Sequence, residues 1–266
     1  MNINQYSPMI PDLFAQINRF IKQIVFNYPS IISIEISKAC NRRCSYCPQS
    51  ITPLKQEIMS DNVWESIKIR LVEAEWKGLV GYVEYNELAL VPNSQKYISD
   101  LVKIGCLPVI YTNGDKPEVV KSWIDAGAYR IVITQHPPTS LKWEDGVEEI
   151  KKYAKSKNLS KIISVRRIEN PDNRGGRVEG TPNKRISLFS WFPWLTFTRC
   201  WVWTSGMNIR IDGSVSICCV DYSSETNFGS VLDYPIWKVW NGKLDAAKRK
   251  SRKGIPATKI CVECLK

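Results

Sequence analysis

Three cysteines near the start of the chain lie close enough in sequence to share one inorganic group. Cys40, Cys44 and Cys47 fall within eight residues. They are one ligand short of the four that a structural zinc ion or a fully ligated [4Fe–4S] cluster takes. A [4Fe–4S] cluster held by three thiolates has one open iron, which an external amine and carboxylate can chelate. The spacing predicts a catalytic cluster; the alternative is a zinc or non-catalytic iron–sulfur site.

The pattern Cys-x3-Cys-x-aromatic-Cys, with Tyr46 as the aromatic residue, resembles the cysteine motif of the radical S-adenosylmethionine (radical SAM) family. The motif also follows a predicted strand, as it does in that family. The resemblance implies that the open iron binds S-adenosylmethionine (SAM) and that one electron from the cluster cleaves SAM to methionine and a 5′-deoxyadenosyl radical. That radical abstracts hydrogen from unactivated carbon. Tyr46 is assigned to the cofactor site by the same resemblance.

Three further strand ends carry residues that the resemblance assigns to SAM. Within residues 83–88 only Glu87 matches the family's Gly-Gly-Glu-Pro motif, which holds the SAM amino group. A solvated loop carboxylate is the alternative. Asn113 lies in Thr-Asn-Gly, a sequence often found in relatives and equally compatible with a turn. Thr134 stands where related enzymes place a small hydroxyl residue near SAM.

Two other polar positions lie at the same predicted strand ends. His136, the only histidine, is a candidate acid or base, with a structural, hydrogen-bonded role as the alternative. Arg166 and Arg167 occupy the fifth predicted strand, so their side chains point to opposite sides. One of them is available to meet a carboxylate or phosphate. We assign Arg166 to the site.

A second group of cysteines lies in the last third of the chain. Its first part reads Cys-x12-Gly-x4-Cys and its end reads Cys-x2-Cys. This layout resembles the SPASM/twitch extension of many radical SAM enzymes, and the small number of cysteines favours the shorter twitch type. The resemblance implies an auxiliary [4Fe–4S] cluster, with structural zinc as the alternative. The four predicted ligands are Cys200, Cys218, Cys261 and Cys264.

Two cysteines are left over from these two groups. Cys219 adjoins a predicted ligand and points opposite to it if both lie on a strand. It is a candidate hydrogen-atom donor to a substrate radical, as a cysteine is in some epimerases of the family, or else a buried small apolar residue. Cys106 follows a glycine at a predicted helix end and is expected to be structural.

Two segments of biased composition bear on electron supply and water exclusion. Residues 189–203 contain seven aromatic side chains beside Cys200, which predicts either a dry wall around the auxiliary cluster or ordinary core packing. Residues 243–254 carry six Lys or Arg against one Asp. This run is either a solvated helix face or a docking patch for an acidic flavodoxin or ferredoxin, or for an anionic substrate.

The elements that position these residues alternate between strand and helix. This alternation predicts an α/β fold with a parallel sheet: a partial (β/α) TIM-like barrel of about five to six parallel strands. The predicted strands cover residues 31–37, 79–85, 108–112, 129–134 and 162–167. The predicted helices cover residues 60–76, 94–104, 117–127 and 147–157.

Three regions follow from this reading. Residues 1–29 form an N-terminal extension with an amphipathic helix over 13–25, and residues 30–168 form the barrel. After a Pro- and Gly-rich stretch, residues 169–266 form a linker and a small twitch domain, a β-hairpin plus a helix. The hairpin is predicted over 207–217, around Asp212-Gly213.

Composition limits the remaining possibilities. The chain has 266 residues, 44% of them hydrophobic, and a formal net charge of +11. It can bury a core, and it has neither a long apolar run nor an export signal. We expect a cytoplasmic protein without membrane contact, and no nucleic-acid-binding module is recognisable.

These inferences lead to one expected function and two alternatives. The layout most resembles the twitch aminocyclitol dehydrogenases, which implies two-electron oxidation of a sugar- or cyclitol-type molecule with help from the auxiliary cluster. The first alternative is a maturase of ribosomally made peptides or an epimerase that uses Cys219. The second is a non-catalytic iron–sulfur electron-transfer or binding protein. No motif in the sequence reports the substrate.

Overall fold

Strands and helices alternate through the chain as the sequence predicts. The computed structural model describes residues 28–53, 55–82, 84–136, 140–168, 177–178, 185–187, 196–198, 206–252 and 255–265. The strands are β1 (Ile31–Ile34), β2 (Leu79–Tyr82), β3 (Leu107–Thr112), β4 (Arg130–Gln135), β5 (Ile163–Arg167), β6 (Arg185–Ser187), β7 (Thr196–Thr198), β8 (Gly206–Ile209) and β9 (Val215–Ser216).

The helices occupy the intervals between these strands and the C-terminal region. They are α1 (Pro48–Ile51), α2 (Asp61–Glu73), α3 (Gln95–Lys103), α4 (Pro117–Asp125), α5 (Leu141–Ser156), α6 (Ile236–Val239), α7 (Asp245–Arg252) and α8 (Lys259–Leu265). Short 3₁₀ turns cover Leu88–Leu90 and Ser160–Ile162, and a π-helical turn covers Trp240–Leu244.

A seven-stranded sheet forms the centre of the fold. Its strand order is β5-β4-β3-β2-β1-β8-β9, and β1 to β5 and β8 run parallel. Parallel strands end at the same edge, so the loops after β1, β2, β3 and β4 meet there. This confirms the predicted α/β fold with about five to six parallel strands.

Helix ends follow local signals in the sequence. The Ser60 hydroxyl accepts a hydrogen bond from the Val63 N–H at 3.4 Å and so caps the start of α2. Pro117 opens α4, where a missing N–H costs nothing. Gly105 and Gly127 end α3 and α4 with φ of +82° and +89°, a conformation that other residues adopt only with strain. The predicted and observed ends agree to within about three residues for α2, α3 and α4, because these signals are local. The predicted start of α5 at residue 147 is wrong: α5 begins at Leu141, where the Ser140 hydroxyl accepts a hydrogen bond from the Trp143 N–H.

Both faces of the sheet are buried, as a parallel sheet requires. Side chains alternate between the faces. On one face, Ile32 and Val80 pack with helix residues that include the fully buried Trp64 and Trp123. On the other face, Ile31 belongs to a separate small apolar cluster. The second face also carries polar residues toward the carboxyl edge, where the candidate site lies.

Strand β8 is the main departure from the sequence-based picture. The predicted hairpin forms around Asp212-Gly213, with β8 and β9 antiparallel and Gly213 at φ +80°. However, β8 also pairs in parallel with β1, from Ile31 opposite Gly206 to Ile34 opposite Ile209. The first strand of the hairpin therefore extends the barrel sheet. The boundary near residue 168 stays a prediction, and the sheet itself is continuous across it.

Two sequence predictions fall outside the described residues: the N-terminal helix over 13–25 and the aromatic run over 189–203, except for β7. Within the part of the chain that is described, no helix is both long and apolar enough to cross a membrane.

Candidate functional site

The three-cysteine loop, residues 40–47, follows β1 at the carboxyl edge of the sheet. Its three cysteines are partly exposed. The Cys44 carbonyl accepts hydrogen bonds from the Cys47 N–H at 2.9 Å and from the Ser50 hydroxyl at 2.6 Å. This turn directs the chain into α1 and brings the second and third cysteines back toward each other.

Electrostatic coupling indicates that the three thiols are neighbours. Burial is the main cause of the raised pKa of the Cys40 thiol. Negative charge on Glu87, Cys47 and Cys44 raises that pKa further. The Arg42 N–H, 3.5 Å from the Cys40 Sγ, opposes the rise because it stabilises the thiolate. Thiolate is the form that binds iron.

The three thiols of the three-cysteine loop are a donor set of the kind that a [4Fe–4S] cluster with one open iron would use. Among the residues that the structure describes, no three His, Cys, Asp or Glu side chains surround a position for one metal ion. The three-cysteine loop instead offers three neighbouring thiols and a backbone N–H directed at one of them. That combination suits a cubane whose fourth iron is left open.

An ion pair ties the three-cysteine loop to the end of β3. The Arg42 guanidinium contacts both carboxylate oxygens of Asp115, and its Nε lies 2.8 Å from Oδ2. The Asn41 amide donates to the same oxygen at 2.9 Å. Burial disfavours ionisation of Asp115, but these hydrogen bonds outweigh it and lower the pKa of the carboxyl. The loop is therefore held before any cluster binds.

The predicted site residues Tyr46 and His136 meet at the end of β4. The Tyr46 hydroxyl contacts the His136 Nδ1, and the two rings stack with centroids 5.9 Å apart. The Arg42 Nη1 also donates to the His136 carbonyl at 3.2 Å. His136 thus packs on the three-cysteine loop, and its Nδ1 is engaged by a residue of that loop.

Glu87 is a buried hub, only 2% exposed, and is not a solvated loop carboxylate. Its Oε1 accepts hydrogen bonds from the Thr112 hydroxyl at 2.8 Å and the Ala89 N–H at 3.0 Å. Its Oε2 accepts from the Asn113 N–H at 2.7 Å, and its own N–H donates to the Ala39 carbonyl at 2.8 Å. Burial raises the pKa of Glu87 although these donors oppose the rise. Glu87 thus joins the ends of β2 and β3 to the residue before Cys40.

The Asn113 side chain links the loop after β3 to the three-cysteine loop. Its amide nitrogen donates to the Asn41 Oδ1 at 2.8 Å, and its Oδ1 accepts from the Asp115 N–H at 2.9 Å. Its carbonyl accepts from the Trp143 indole at 2.7 Å. The Asn113 side chain therefore positions the three-cysteine loop, a contribution that the sequence did not predict.

A second polar group lies on β3, β4 and β5. Thr134 is buried and pairs in register with Arg166, whose Nε lies 3.4 Å from the Thr134 Oγ1. The Arg166 guanidinium also lies over the Tyr111 ring, 5.0 Å from its centroid. Burial raises the pKa of Tyr111, and charge on Cys219 raises it further, so Cys219 is close by. The Arg166 guanidinium thus contacts both the Thr134 hydroxyl and the Tyr111 ring, and charge on Cys219 acts on the Tyr111 hydroxyl.

The second cysteine group lies on the hairpin and the last helix. Cys218 follows β9, and Cys261 and Cys264 are three residues apart on α8. Cys261 is buried, whereas Cys218 and Cys264 are partly exposed. Cys200, the remaining predicted ligand, lies outside the described residues.

Two further predictions, a structural role for Cys106 and an exposed basic run over residues 243–254, have different outcomes. Cys106 is buried and its Sγ lies 3.0 Å from the Trp76 carbonyl, which agrees with a structural role. Lys248 in the basic run is fully buried, so it belongs to neither a solvated face nor a docking patch. Lys243 and Arg249 are exposed. The exposed basic surface is therefore smaller than the sequence indicated.

Sequence reasoning missed one buried charged cluster at the ends of β1, β2 and β8. The Arg210 guanidinium lies 3.0 Å from the buried carboxylate of Asp221 and donates to the Ser224 hydroxyl at 2.7 Å. Glu35 accepts a hydrogen bond from the Ile211 N–H at 3.2 Å. Glu84 is partly exposed, but desolvation of its carboxyl, together with the nearby charge of Glu35, raises the pKa of Glu84 to about 8. No motif marks these residues because only the pairing of β8 with β1 brings them together.

The raised pKa of Glu84 predicts a pH-dependent stability. Between its ordinary pKa of 4.5 and about 8, the folded protein keeps a proton that the unfolded chain releases. The free energy of unfolding therefore falls as pH rises through this window, by at most about 1.4 kcal/mol per pH unit. Glu84→Gln should remove this slope, so the variant gains stability relative to the wild type from pH 5 to pH 8.

Urea unfolding under anaerobic conditions at both pH values measures this difference. Glu65→Gln is the matched control, because the Glu65 carboxylate is about half exposed and pairs with Lys68 on the same helix. Equal slopes in the wild type and Glu84→Gln would show that the Glu84 carboxyl is ionised and solvated in the folded protein.

Comparison with known proteins gives a domain match in the C-terminal region and one relative over most of the chain. Residues 200–265 match the SPASM family, an iron–sulfur cluster-binding domain. The S-adenosyl-L-methionine-dependent 2-deoxy-scyllo-inosamine dehydrogenase of Niallia circulans is 22% identical over 246 residues, which is 88% of this chain and 92% of that protein. The chain is therefore similar to a SAM-dependent dehydrogenase along most of its length, and its C-terminal region matches an iron–sulfur cluster-binding domain.

Solved structures of radical SAM proteins share its fold. BtrN in complex with AdoMet and 2-DOIA superimposes with a TM-score of 0.72 at 19% identity, over 87% of this chain and 91% of BtrN. Native anSMEcpe with bound AdoMet gives a TM-score of 0.54 at 14% identity, over 81% of each chain. The likeness extends through the parallel sheet and into the C-terminal region.

Proposed function

We propose that this radical SAM protein is an oxidoreductase that removes two electrons from a sugar- or cyclitol-type small molecule. The observation that carries the proposal is the three-cysteine loop, whose neighbouring thiols lie at the carboxyl edge of a parallel sheet and leave one iron of a cluster open. The SPASM match over residues 200–265 supports a second, auxiliary [4Fe–4S] cluster. When bound, the first cluster supplies one electron to SAM and so generates a 5′-deoxyadenosyl radical.

The chain's own residues prepare the site for that chemistry. The Arg42–Asp115 ion pair and the Glu87 hydrogen bonds fix the three-cysteine loop against β3. This rigidity holds the loop in one geometry and limits the reorganisation needed when SAM binds. Tyr46, stacked on His136, closes the side of the loop toward β4.

The polar group on β3, β4 and β5 suits a substrate hydroxyl. The Arg166 guanidinium offers donors, and the Thr134 hydroxyl both donates and accepts. Oxidation of an alcohol releases the hydroxyl proton, and a guanidinium beside the oxygen stabilises the charge that develops there. The dehydrogenase from Niallia circulans, which acts on an aminocyclitol, supports a substrate of this class.

Electron supply is assigned to an acidic flavodoxin or ferredoxin. Lys243, Arg249 and Lys250 are exposed basic residues of the C-terminal region, and Arg249 also pairs with Asp245. A positive patch of this kind attracts an acidic partner and speeds its association.

The experiment is anaerobic turnover of reconstituted protein. With SAM, dithionite and 2-deoxy-scyllo-inosamine or related cyclitols, we expect 5′-deoxyadenosine and a product that has lost two hydrogens, in equal amounts. Absence of 5′-deoxyadenosine with any reductant would contradict the radical SAM assignment. Formation of 5′-deoxyadenosine without cyclitol oxidation would contradict only the substrate class.

An epimerase is the second candidate, because Cys219 lies near Tyr111 beside Arg166. An epimerase leaves the substrate mass unchanged in H₂O and incorporates one deuterium in D₂O. Cys219→Ala should then stop product formation, whereas a dehydrogenase should keep its two-electron product in that variant.

A further inference from the structure

Two hydroxyl groups from different elements converge on the sulfur of Cys261. The Thr258 Oγ1 lies 3.3 Å from the Cys261 Sγ, and the Ser251 Oγ lies 3.8 Å from it. Ser251 and Cys261 are 5% and 9% exposed, so water is largely excluded from this contact. Ser251 belongs to α7, whereas Thr258 immediately precedes α8.

The hydrogen-bond pattern leaves the Thr258 hydrogen available to the sulfur. The Thr258 Oγ1 accepts the Cys261 N–H at 3.4 Å, as expected for a residue that caps the start of a helix. A hydroxyl has one hydrogen to donate besides its lone pairs. Since the N–H occupies a lone pair, the hydrogen can point at the Sγ.

Ser251 is held in place by its own helix. Three residues earlier on α7, the fully buried Lys248 contacts the Gly206 carbonyl at the start of β8. Its ammonium also lies over the Trp240 ring, 5.4 Å from the centroid. These contacts fix α7 against the barrel sheet, so the Ser251 hydroxyl faces Cys261 from a rigid element.

Ligation of iron by Cys261 would determine whether the hydroxyls or the sulfur donate in these two hydrogen bonds. A cysteine that ligates iron is a thiolate and only accepts hydrogen bonds. Both hydroxyls must then donate to the Cys261 sulfur. When a cluster gains an electron it becomes more negative, and donors to its sulfur stabilise that form more than the oxidised form.

We infer that Ser251 and Thr258 are positioning residues that raise the reduction potential of the auxiliary cluster through hydrogen bonds to the Cys261 thiolate. The inference rests on the proposed function in assigning Cys261 to that cluster. In the proposed dehydrogenation, the substrate radical left after hydrogen abstraction loses one electron to the oxidised auxiliary cluster and the hydroxyl proton to solvent. A higher potential favours this transfer.

The test is the midpoint potential of the auxiliary cluster, followed by electron paramagnetic resonance during a redox titration. The background is full-length protein with Cys40, Cys44 and Cys47 changed to Ala, so that only the auxiliary cluster gives a signal. We expect Thr258→Val and Ser251→Ala each to lower the potential, Thr258→Val more strongly because its contact is shorter, and the double variant to lower it furthest. Thr258→Ser keeps the hydroxyl and should keep the potential; Ser99→Ala, on the exposed face of α3, is the control.

Each outcome has a defined meaning. An unchanged potential in the double variant with full iron content would overturn the inference and leave the proposed function standing. A lowered potential in the variants, together with wild-type protein that cleaves SAM but oxidises no cyclitol, would support the inference and count against the proposed function. If the background protein assembles no cluster, Cys261 is not a ligand and the inference is wrong. Ser251→Ala, a small change, keeps the test decisive if Thr258→Val fails to fold.

Discussion

Replacing Cys44 with alanine is expected to abolish 5′-deoxyadenosine formation while the auxiliary cluster stays in place. Two thiolates cannot hold a cubane with a defined open iron, so SAM loses the metal that chelates and reduces it. Iron content should fall from roughly eight to roughly four atoms per chain. The measurements are iron and sulfide content after anaerobic reconstitution and 5′-deoxyadenosine formed from SAM with dithionite.

Two matched variants separate this effect from simple loss of a cysteine. Cys106→Ala removes a buried thiol that belongs to neither group, and it should keep both clusters and full SAM cleavage. Cys261→Ala should lose the auxiliary cluster and keep some SAM cleavage without substrate oxidation. If Cys44→Ala still cleaves SAM at the wild-type rate, the three-cysteine loop is not the SAM site.

The features that the sequence predicts are those controlled by local chemistry. Pro117, Gly105 and Gly127 set helix ends because of their own backbone preferences. The three-cysteine loop is recognisable because its ligands are close in sequence. The alternation of strands and helices then places the loop at the carboxyl edge of a parallel sheet, where ends of neighbouring strands meet.

The features that the sequence does not predict depend on contacts distant along the chain. The pairing of β8 with β1 unites residues more than 170 positions apart. That pairing brings Arg210 beside Glu35, and neither residue has a motif. Arg42 and Asp115 likewise look like ordinary surface residues in sequence, but they meet because the loops after β1 and β3 converge.

Lys248 shows that the solvent exposure of a charged residue cannot be predicted from local composition. Within a basic run, a lysine is expected in solvent, yet this one is fully buried and contacts a backbone carbonyl. Periodicity alone does not show which face of a short helix meets the sheet, since Asp245 on the same helix is also buried. Tertiary packing determines which charged residues of this helix are exposed to solvent.

Glu87→Gln is expected to destabilise the protein by about 1–3 kcal/mol and to weaken SAM binding by about tenfold or more. The amide is the same size as the carboxylate, but one of its ends is an NH₂ group. Oε1 accepts the Ala89 N–H and Oε2 accepts the Asn113 N–H, so either orientation places the NH₂ group against a backbone donor. The displaced Asn113 then loses its hydrogen bond to Asn41, which positions the three-cysteine loop.

Urea unfolding and equilibrium SAM binding to the reconstituted protein measure the two effects. Glu118→Gln on α4 is the control, because its carboxylate is 81% exposed in a surface pair with Lys121, and such pairs contribute little to stability. Thr112→Val removes one donor to Glu87 and should produce a smaller loss of stability, since the two backbone donors remain. Wild-type stability and SAM affinity in Glu87→Gln would contradict this account, because the amide would then leave neither backbone donor without an acceptor.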